Sequence, residues 1–463
     1  MLIGVAILDI GLMVWTPSGS AYKSPWAVPL VSCFFLLLLA IVLSGRTDHA
    51  LGRQIQATEN AEAAPQVEET IQPLDAQDAR PVPVFSIEML EPENLPPLSP
   101  EARLLVQRGR SFFTERLRIY GRGVLFLLLA HLAVALLGRA LDNPYPIPFG
   151  VWSCLLVAIV ALSVVGHPGR TRLILAPVAW RILSIACVVL TMAVAAVYVM
   201  RGISESDLAS GLLAFVTIGA LAAYTLRLTR GNRELRRKVM AYPPLKLLFL
   251  WVFGSYSPAF LFLGFAAVWR FLGSIQLLNG AGFMGDTVEI MKSFARGKSA
   301  DLVVKTPEEL AARITAFNSA PNRMAMYPHH SLLCSDSVWK LALDAVLEDT
   351  HVILMDLRGF SPENQGATYE LGQLIDRFPA PRFVLLADET TDREFLSTTL
   401  RYSWDAMAID SPNRRSSSAP VRVFHLGHAS ATRGEFPQLP AIAREGDRLL
   451  EILCERAVAP TSS

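Results

Sequence analysis

The stretch that decides the fold is His351-Val-Ile-Leu-Met-Asp356-Leu-Arg358-Gly-Phe-Ser-Pro-Glu-Asn-Gln365-Gly-Ala-Thr-Tyr369-Glu370-Leu-Gly372. A β-branched and apolar run, Val352 to Met355, ends on Asp356 and opens into a polar loop containing Gly359 and Pro362. A helix-forming segment starts near Gln365 and carries Tyr369, Glu370 and Gly372. This is the pattern of a strand, a ligand-lining loop and a helix in an open parallel α/β sheet. Such sheets bind ligands beyond the carboxyl ends of their strands.

Outward from this stretch the same alternation recurs. Helical patterns occur at Pro307–Phe317 and Ser337–Leu347, with another at Asp286–Phe294. Further strands are expected at Phe383–Ala387 and Val421–Leu426, with helices beginning near Thr391 and over Ala441–Arg456. The strands are continuous apolar runs, as when both sheet faces are covered. Leu245 to Leu272 has two readings. As one membrane helix it is cut by Gly254-Ser-Tyr-Ser-Pro258 into halves too short to cross. As a βαβ unit it gives a strand over Lys246–Phe253, a helix over Pro258–Phe271 and a strand over Ser274–Leu278. Ser257 before Pro258 suits a helix start. The second reading predicts a cytoplasmic α/β domain over residues 245–458 with a doubly wound parallel sheet.

The rest of the chain reads as membrane. The 463 residues are 52% apolar and 18% charged, too apolar for an ordinary soluble chain. Runs near the ~20 residues of a bilayer span occur at Trp26–Ser44, Gly123–Gly138, Phe149–Val165, Ile182–Met200 and Leu208–Leu226. Leu2–Trp15 is a shorter sixth run with Asp9 at its middle. The expectation is a helical bundle of five or six spans. Residues 1–45 form one span or a hairpin, and residues 101–230 form four spans with basic flanks. Arg103 to Arg122, Arg170 with Arg172, and Arg227 to Lys238 occupy alternate loops, with 231–244 as a basic linker. The positive-inside rule puts these loops, and the C-terminal domain, in the cytoplasm beneath the inner (plasma) membrane. Residues 46–100 are rich in Glu, Asp and Pro and read as a disordered cytoplasmic linker. A net charge of +1 gives no reason to expect nucleic acid as a partner. The five cysteines show neither metal nor disulfide spacing. No metal or cofactor is expected. His131, inside a span, is either a functional group or a histidine bonded within the bundle.

Asp356, Arg358 and Gly359 sit at a strand end, and Glu370 lies in the helix beyond it. Two carboxylates and a guanidinium in one crevice can hold a ribose by its hydroxyls. A carboxylate facing the anomeric carbon can stabilise an oxocarbenium-like transition state or attack it. The run from Asp356 through Gly366-Ala-Thr-Tyr-Glu370-Leu-Gly372 resembles the D…GxxxELG segment of nucleoside 2-deoxyribosyltransferases and TIR-like domains. Leu248–Gly254, Trp269–Gly280, Val338–Leu347 and Val352–Gly372 resemble a group of bacterial multi-pass membrane proteins that append such a domain. The resemblance covers roughly Lys246 to Asp392. It implies a flavodoxin/TIR-like fold, a catalytic role for Glu370 and a ribose-side role for Asp356. Arg358, Gly359 and Tyr369 are further candidate ligand-binding residues. The loop Leu357-Arg-Gly-Phe-Ser-Pro departs from the transferase pattern.

Three functions follow as expectations. One is a membrane-tethered sensor or effector that binds a nucleotide-like small molecule without turnover. Another is an N-glycosidase acting on NAD or nucleosides through Glu370. The third is an assembly module that self-associates into a homo-oligomer. Gly297-Lys298-Ser299 lacks the glycine of a phosphate-binding loop, and His329-His330 and His425 with His428 lack companions at metal spacing.

Overall fold

The computed structural model describes residues 84–91, 95–141, much of 185–204, 206–251, 259–280, 303–415 except 318 and 336, 420–426 and 439–459. All belong to one compact unit, Glu69–Ser463. The segment expected at 1–45, the Phe149–Val165 run and the helix expected at Asp286–Phe294 lie outside the described residues.

The strands are β1 (Ile87–Leu90), β2 (Leu245–Trp251), β3 (Gly273–Gly280), β4 (Val303–Val304), β5 (His329–Cys334), β6 (Val352–Asp356), β7 (Phe383–Ala387) and β8 (Val421–His425). They form one sheet in the order β1-β8-β7-β6-β2-β3-β5-β4, with every pairing parallel. The helices are α1 (Pro100–Ala140), α2 (Leu208–Met240), α3 (Ala259–Trp269), α4 (Pro307–Thr315), α5 (Trp339–Leu347), α6 (Gln365–Arg377), α7 (Arg393–Asp405) and α8 (Leu439–Ala457). Leu245–Gly280 is thus a βαβ unit, as the break at Gly254–Pro258 implied, and not one span.

Helices cover both faces, because side chains alternate along each strand. Leu247, Phe249 and Trp251 of β2, Val352 and Leu354 of β6, and Val384 and Leu386 of β7 share a core with α1, α3 and α8. We call this face one. Leu248, Leu250, Ile353, Met355, Phe383, Leu385 and Ala387 pack instead with α5, α6 and α7 on face two. Every residue of β6 and β7 is buried, which explains their uninterrupted apolar sequence.

Capping fixes several helix starts. Thr306 accepts from the Glu309 N–H ahead of α4, with Pro307 in the first turn, and Asp392 accepts from the Phe395 N–H at 2.9 Å ahead of α7. Asp207 caps α2 by accepting from the Ala209 and Ser210 N–H groups.

Two expectations need correction. Ile87–Leu90, assigned to the disordered linker 46–100, is an edge strand paired with β8 from Val421 to Phe424. Arg422 ion-pairs with Glu88, and Leu90 is buried. An edge strand can meet a partner hundreds of residues away, so local composition did not reveal it. The basic runs before Gly123 and after Leu226 are not loops, and 231–244 is not a linker up to Met240. They are the inner parts of α1 and α2. Arg, Leu, Glu and Lys are good helix formers, and tertiary packing holds them there. Ala102, Val106, Phe112 and Phe113 of α1, with Leu235 and Val239 of α2, enter the face-one core.

At roughly 1.5 Å per residue, α1 and α2 extend well beyond the sheet. They run antiparallel there. Lys238 pairs with Glu115 at 2.7 Å, Val124 and Leu127 pack on Tyr224, and Val134 packs with Leu213 and Ala214. Both are long and apolar enough to cross a membrane, by length and composition.

Candidate functional site at the carboxyl edge of the sheet

From β2 the chain proceeds outward to β3 and on to β4 at the edge, then fills in β5 between them. It then returns to β6, on the other side of β2, and proceeds to β7 and β8. The order therefore reverses between β2 and β6, which is where open α/β sheets leave a crevice for a ligand. The last paired residues there are Trp251 and Asp356. Trp251 belongs to face one, and the alternation along β6 puts Asp356 on the same side.

Asp356 is 1% exposed, and Arg358 from the following loop grips it. Arg358 Nε donates to Oδ1 at 2.9 Å, Nη2 donates to Oδ2 at 2.6 Å, and the Arg358 backbone N–H donates to Oδ1 at 3.2 Å. The fork geometry makes this a strong charge-assisted pair. Gly359, at φ 74, supplies the left-handed turn that lets Arg358 fold back onto Asp356. The Leu357 N–H donates to Leu386 O at 2.8 Å, and Thr391 Oγ1 donates to Leu357 O at 3.0 Å. These bonds tie the loop after β6 to the loop after β7.

Two further carboxyl groups face the same guanidinium. Asp388 follows β7, is buried, and accepts from the Thr390 N–H at 2.8 Å. Glu445 on α8 is also buried. Burial alone would lower the Arg358 pKa, but Asp356, then Asp388 and Glu445, raise it on balance. Burial pushes the Glu445 carboxyl up to about 7, with Asp388 adding to the rise and Arg358 and Arg444 opposing it. The strand ends thus bring together the Arg358 guanidinium, two buried aspartates and a glutamate whose carboxyl is pushed up to about 7, with Arg444 beside it.

Glu370 lies elsewhere. Its neighbours on α6, namely Ala367, Leu371, Leu374 and Ile375, belong to the face-two core, opposite Asp356. The side chain is 2% exposed, and Oε2 is buried with no hydrogen-bond partner among the described residues. Burial pushes its pKa up to about 8 without help from a charged neighbour. The expected convergence of Glu370 with Asp356 on one open crevice does not occur. Tyr369 turns toward α5, where it meets Trp339 edge-on at 5.2 Å and sits under Lys340 Nζ at 4.6 Å. A surface hollow of ≈ 310 Å³ opens at the start of α6, lined by Glu363, Asn364, Gln365, Gly366 and Ala367, and includes none of the expected site residues.

The chain matches no protein-family model, no curated protein and no solved structure.

Sequence reasoning missed Asp388 and Glu445. Asp388 carries the same signal as Asp356, a carboxylate directly after a buried apolar strand. Glu445 carries none, because only the docking of α8 brings it near. The histidines have structural surroundings. His330 stacks on Phe317 at 4.2 Å, and the His131 ring meets Leu127 O at 2.8 Å and Thr191 Oγ1 at 3.3 Å. Among the described residues no group of His, Cys, Asp or Glu is arranged to hold a metal.

Proposed function

We propose that this is a multi-pass membrane protein whose cytoplasmic α/β domain binds a nucleotide-like small molecule at the β2/β6 switch point and relays occupancy to the membrane helices, without turning the ligand over. Several features support the reading. Renumbered by themselves, β3-β2-β6-β7-β8 follow the order 2-1-3-4-5 of flavodoxin-like sheets, whose ligand sits at the first and third strands. That order also suits the TIR-like and deoxyribosyltransferase-like resemblance. The carboxyl groups of Asp356, Asp388 and Glu445 outnumber the Arg358 guanidinium and the neighbouring Arg444 among the described residues. They suit ribose hydroxyls, which donate to carboxylates, better than a bare phosphate.

The observation that carries the relay is helix α8. Its Glu445 faces Arg358, while Asp447 and Glu451 accept from Arg110 of α1 at 2.6 and 3.1 Å. Between them, Gly446 lies against the backbone of α3, so close that a Cβ there would be 2.8 Å from Gly264 Cα. One helix thus touches both the crevice and the inner part of a helix long enough to span a bilayer. An N-glycosidase acting through Glu370 has weaker support, because that carboxyl is sealed in the opposite face.

Calorimetry on the full-length protein in nanodiscs, against NAD, nucleosides, nucleotides and cyclic nucleotides, tests the reading. We expect saturable binding of at least one, weakened tenfold or more in Asp388→Asn. Absence of heat across the panel removes the reading. Nicotinamide or base release that is lost in Glu370→Gln replaces it with the enzyme.

A further inference from the structure

We propose that Arg118, Arg122, Arg230 and Arg233 form a collar that binds the phosphate headgroups of anionic membrane phospholipids. The inference rests on the reading of α1 and α2 as bilayer-crossing, and it assigns a partner to a surface outside the crevice.

The helix pair changes character at one level. From Leu125 onward α1 exposes Leu125, Leu129, Leu132 and Leu136. Up to Leu226, α2 exposes Leu208, Leu212, Phe215, Ile218 and Leu226. No Asp, Glu, Lys or Arg occurs over 123–138 of α1 or 208–226 of α2. Below the boundary, residues 115–122 and 227–238 together hold nine basic side chains against only Glu115 and Glu234. The two boundaries coincide in space. A Cβ on Gly123 would lie 2.8 Å from the Tyr224 ring and 3.1 Å from Leu228, and a Cβ on Gly231 would lie 3.0 Å from Ile119. Arg227 marks the edge with its guanidinium 4.2 Å from the Phe126 ring.

Both acidic residues of the collar are engaged, Glu115 by Lys238 at 2.7 Å and Glu234 by Arg237 at 3.7 Å. Arg118, Arg122, Arg230 and Arg233 are exposed and make no ion pair among the described residues. From Leu125 down to Arg118 is roughly 10 Å of helix. A headgroup layer is about 5–8 Å deep on each side of the hydrocarbon. Arg122 and Arg230, roughly 5–6 Å below the apolar edge, stand within that layer, and the long side chains of Arg118 and Arg233, about one turn further, reach back to it, where basic residues gain from anionic lipid. A soluble anion would meet the same charges without the acyl chains that hold a lipid phosphate against the leucine surface. The collar also meets the α/β domain, because Arg236 Nε donates to Pro321 O at 2.9 Å.

The test is native mass spectrometry of the full-length protein in non-ionic detergent, titrated with phosphatidylglycerol, with phosphatidylcholine, or with inorganic phosphate. Wild type is expected to retain phosphatidylglycerol preferentially. Each Arg→Gln change should weaken that binding about fivefold, and the fourfold Arg→Lys variant should keep most of it. Equal retention of the two lipids, Gln variants that bind as wild type, or displacement of lipid by millimolar inorganic phosphate would each overturn the collar. Single variants serve if the fourfold Gln variant does not fold. Release of wild type from membranes by alkaline carbonate would sink the spanning reading and the collar with it. Loss of lipid selectivity in a carbonate-resistant protein overturns the collar alone.

Discussion

Two buried glutamates stand at opposite faces of the same sheet, and their surroundings differ more than their burial. Glu445 on face one has Arg358, Arg444 and Asp388 as electrostatic neighbours, and its pKa rises to about 7. Glu370 on face two lies among the apolar residues of that core with no charged group acting on it, and its pKa rises to about 8. Desolvation acts on both. Only Glu445 belongs to a set of charges that a ligand could reorganise, and only its helix reaches α1. A raised pKa by itself does not mark a functional carboxyl. The charged company of the group separates a crevice from a core.

The largest effect that would sharpen this contrast is on face one. Asp356→Ala leaves Arg358 buried without its bidentate partner and is expected to destabilise the domain by about 3 kcal/mol, the low end for a broken buried pair because Asp388 and Glu445 remain. Thermal unfolding in nanodiscs measures it. A loss below about 1 kcal/mol would mean that the crevice is wetter and looser than its geometry.

Glu370→Gln probes face two. A buried acid with a raised folded pKa stays protonated while the unfolded chain ionises. The penalty therefore grows from an ordinary pKa of 4.5 upward and levels off above about 8. Removing the titrating group should raise stability by roughly 2–4 kcal/mol at pH 8, with the gain vanishing toward pH 4.5. A gain that does not change with pH would refute the assignment of Glu370 as a neutral core group.

Gly446→Ala tests the link between the two regions. The added methyl meets the Gly264 backbone, and overpacking of this kind costs about 1–3 kcal/mol. The expected signature is a ligand that still binds but no longer changes protease protection of α1. Unchanged protection coupling would break the relay through α8.

The smallest effect belongs to Glu445→Gln. Stability contributed at this position falls as pH rises from 4.5 through about 7 in wild type, so the variant should flatten that slope by about 1 kcal/mol per pH unit. A slope unchanged between pH 5 and pH 8 would assign the titration to another group.

Much of the fold was legible where its cause is local. The apolar runs at Val352 and Phe383 became β6 and β7, and the helix-forming segment starting near Gln365 became α6, which begins at Gln365. The break at Gly254–Pro258 separated β2 from α3. Strand β5 was not legible, because it opens on His329-His330-Ser331, a polar start whose backbone pairs with β3 deep in the sheet. Nor was β1, whose partner strand among the described residues, β8, lies more than 300 residues onward. The inner halves of α1 and α2 carry the basic charge of cytoplasmic loops, but their residue types favour helix and their apolar side chains pack into the face-one core.

At the site, sequence alone determined that Asp356, Arg358 and Gly359 would stand together at a strand end. Three residues so close in the chain, one of them a glycine at the turn, have little else they can do. Sequence placed Glu370 on α6 beside Ala367, Leu371 and Leu374 but left open which way its carboxyl points. Only the tertiary structure decided that it points into the core on the face opposite Asp356. Alternation along β6 says which residues share a side with Asp356. Which helices cover that side depends on the crossovers that lay α8 and α3 on one face and α6 on the other. That choice joined Asp356 to Glu445 and Asp388, and left Glu370 in the core.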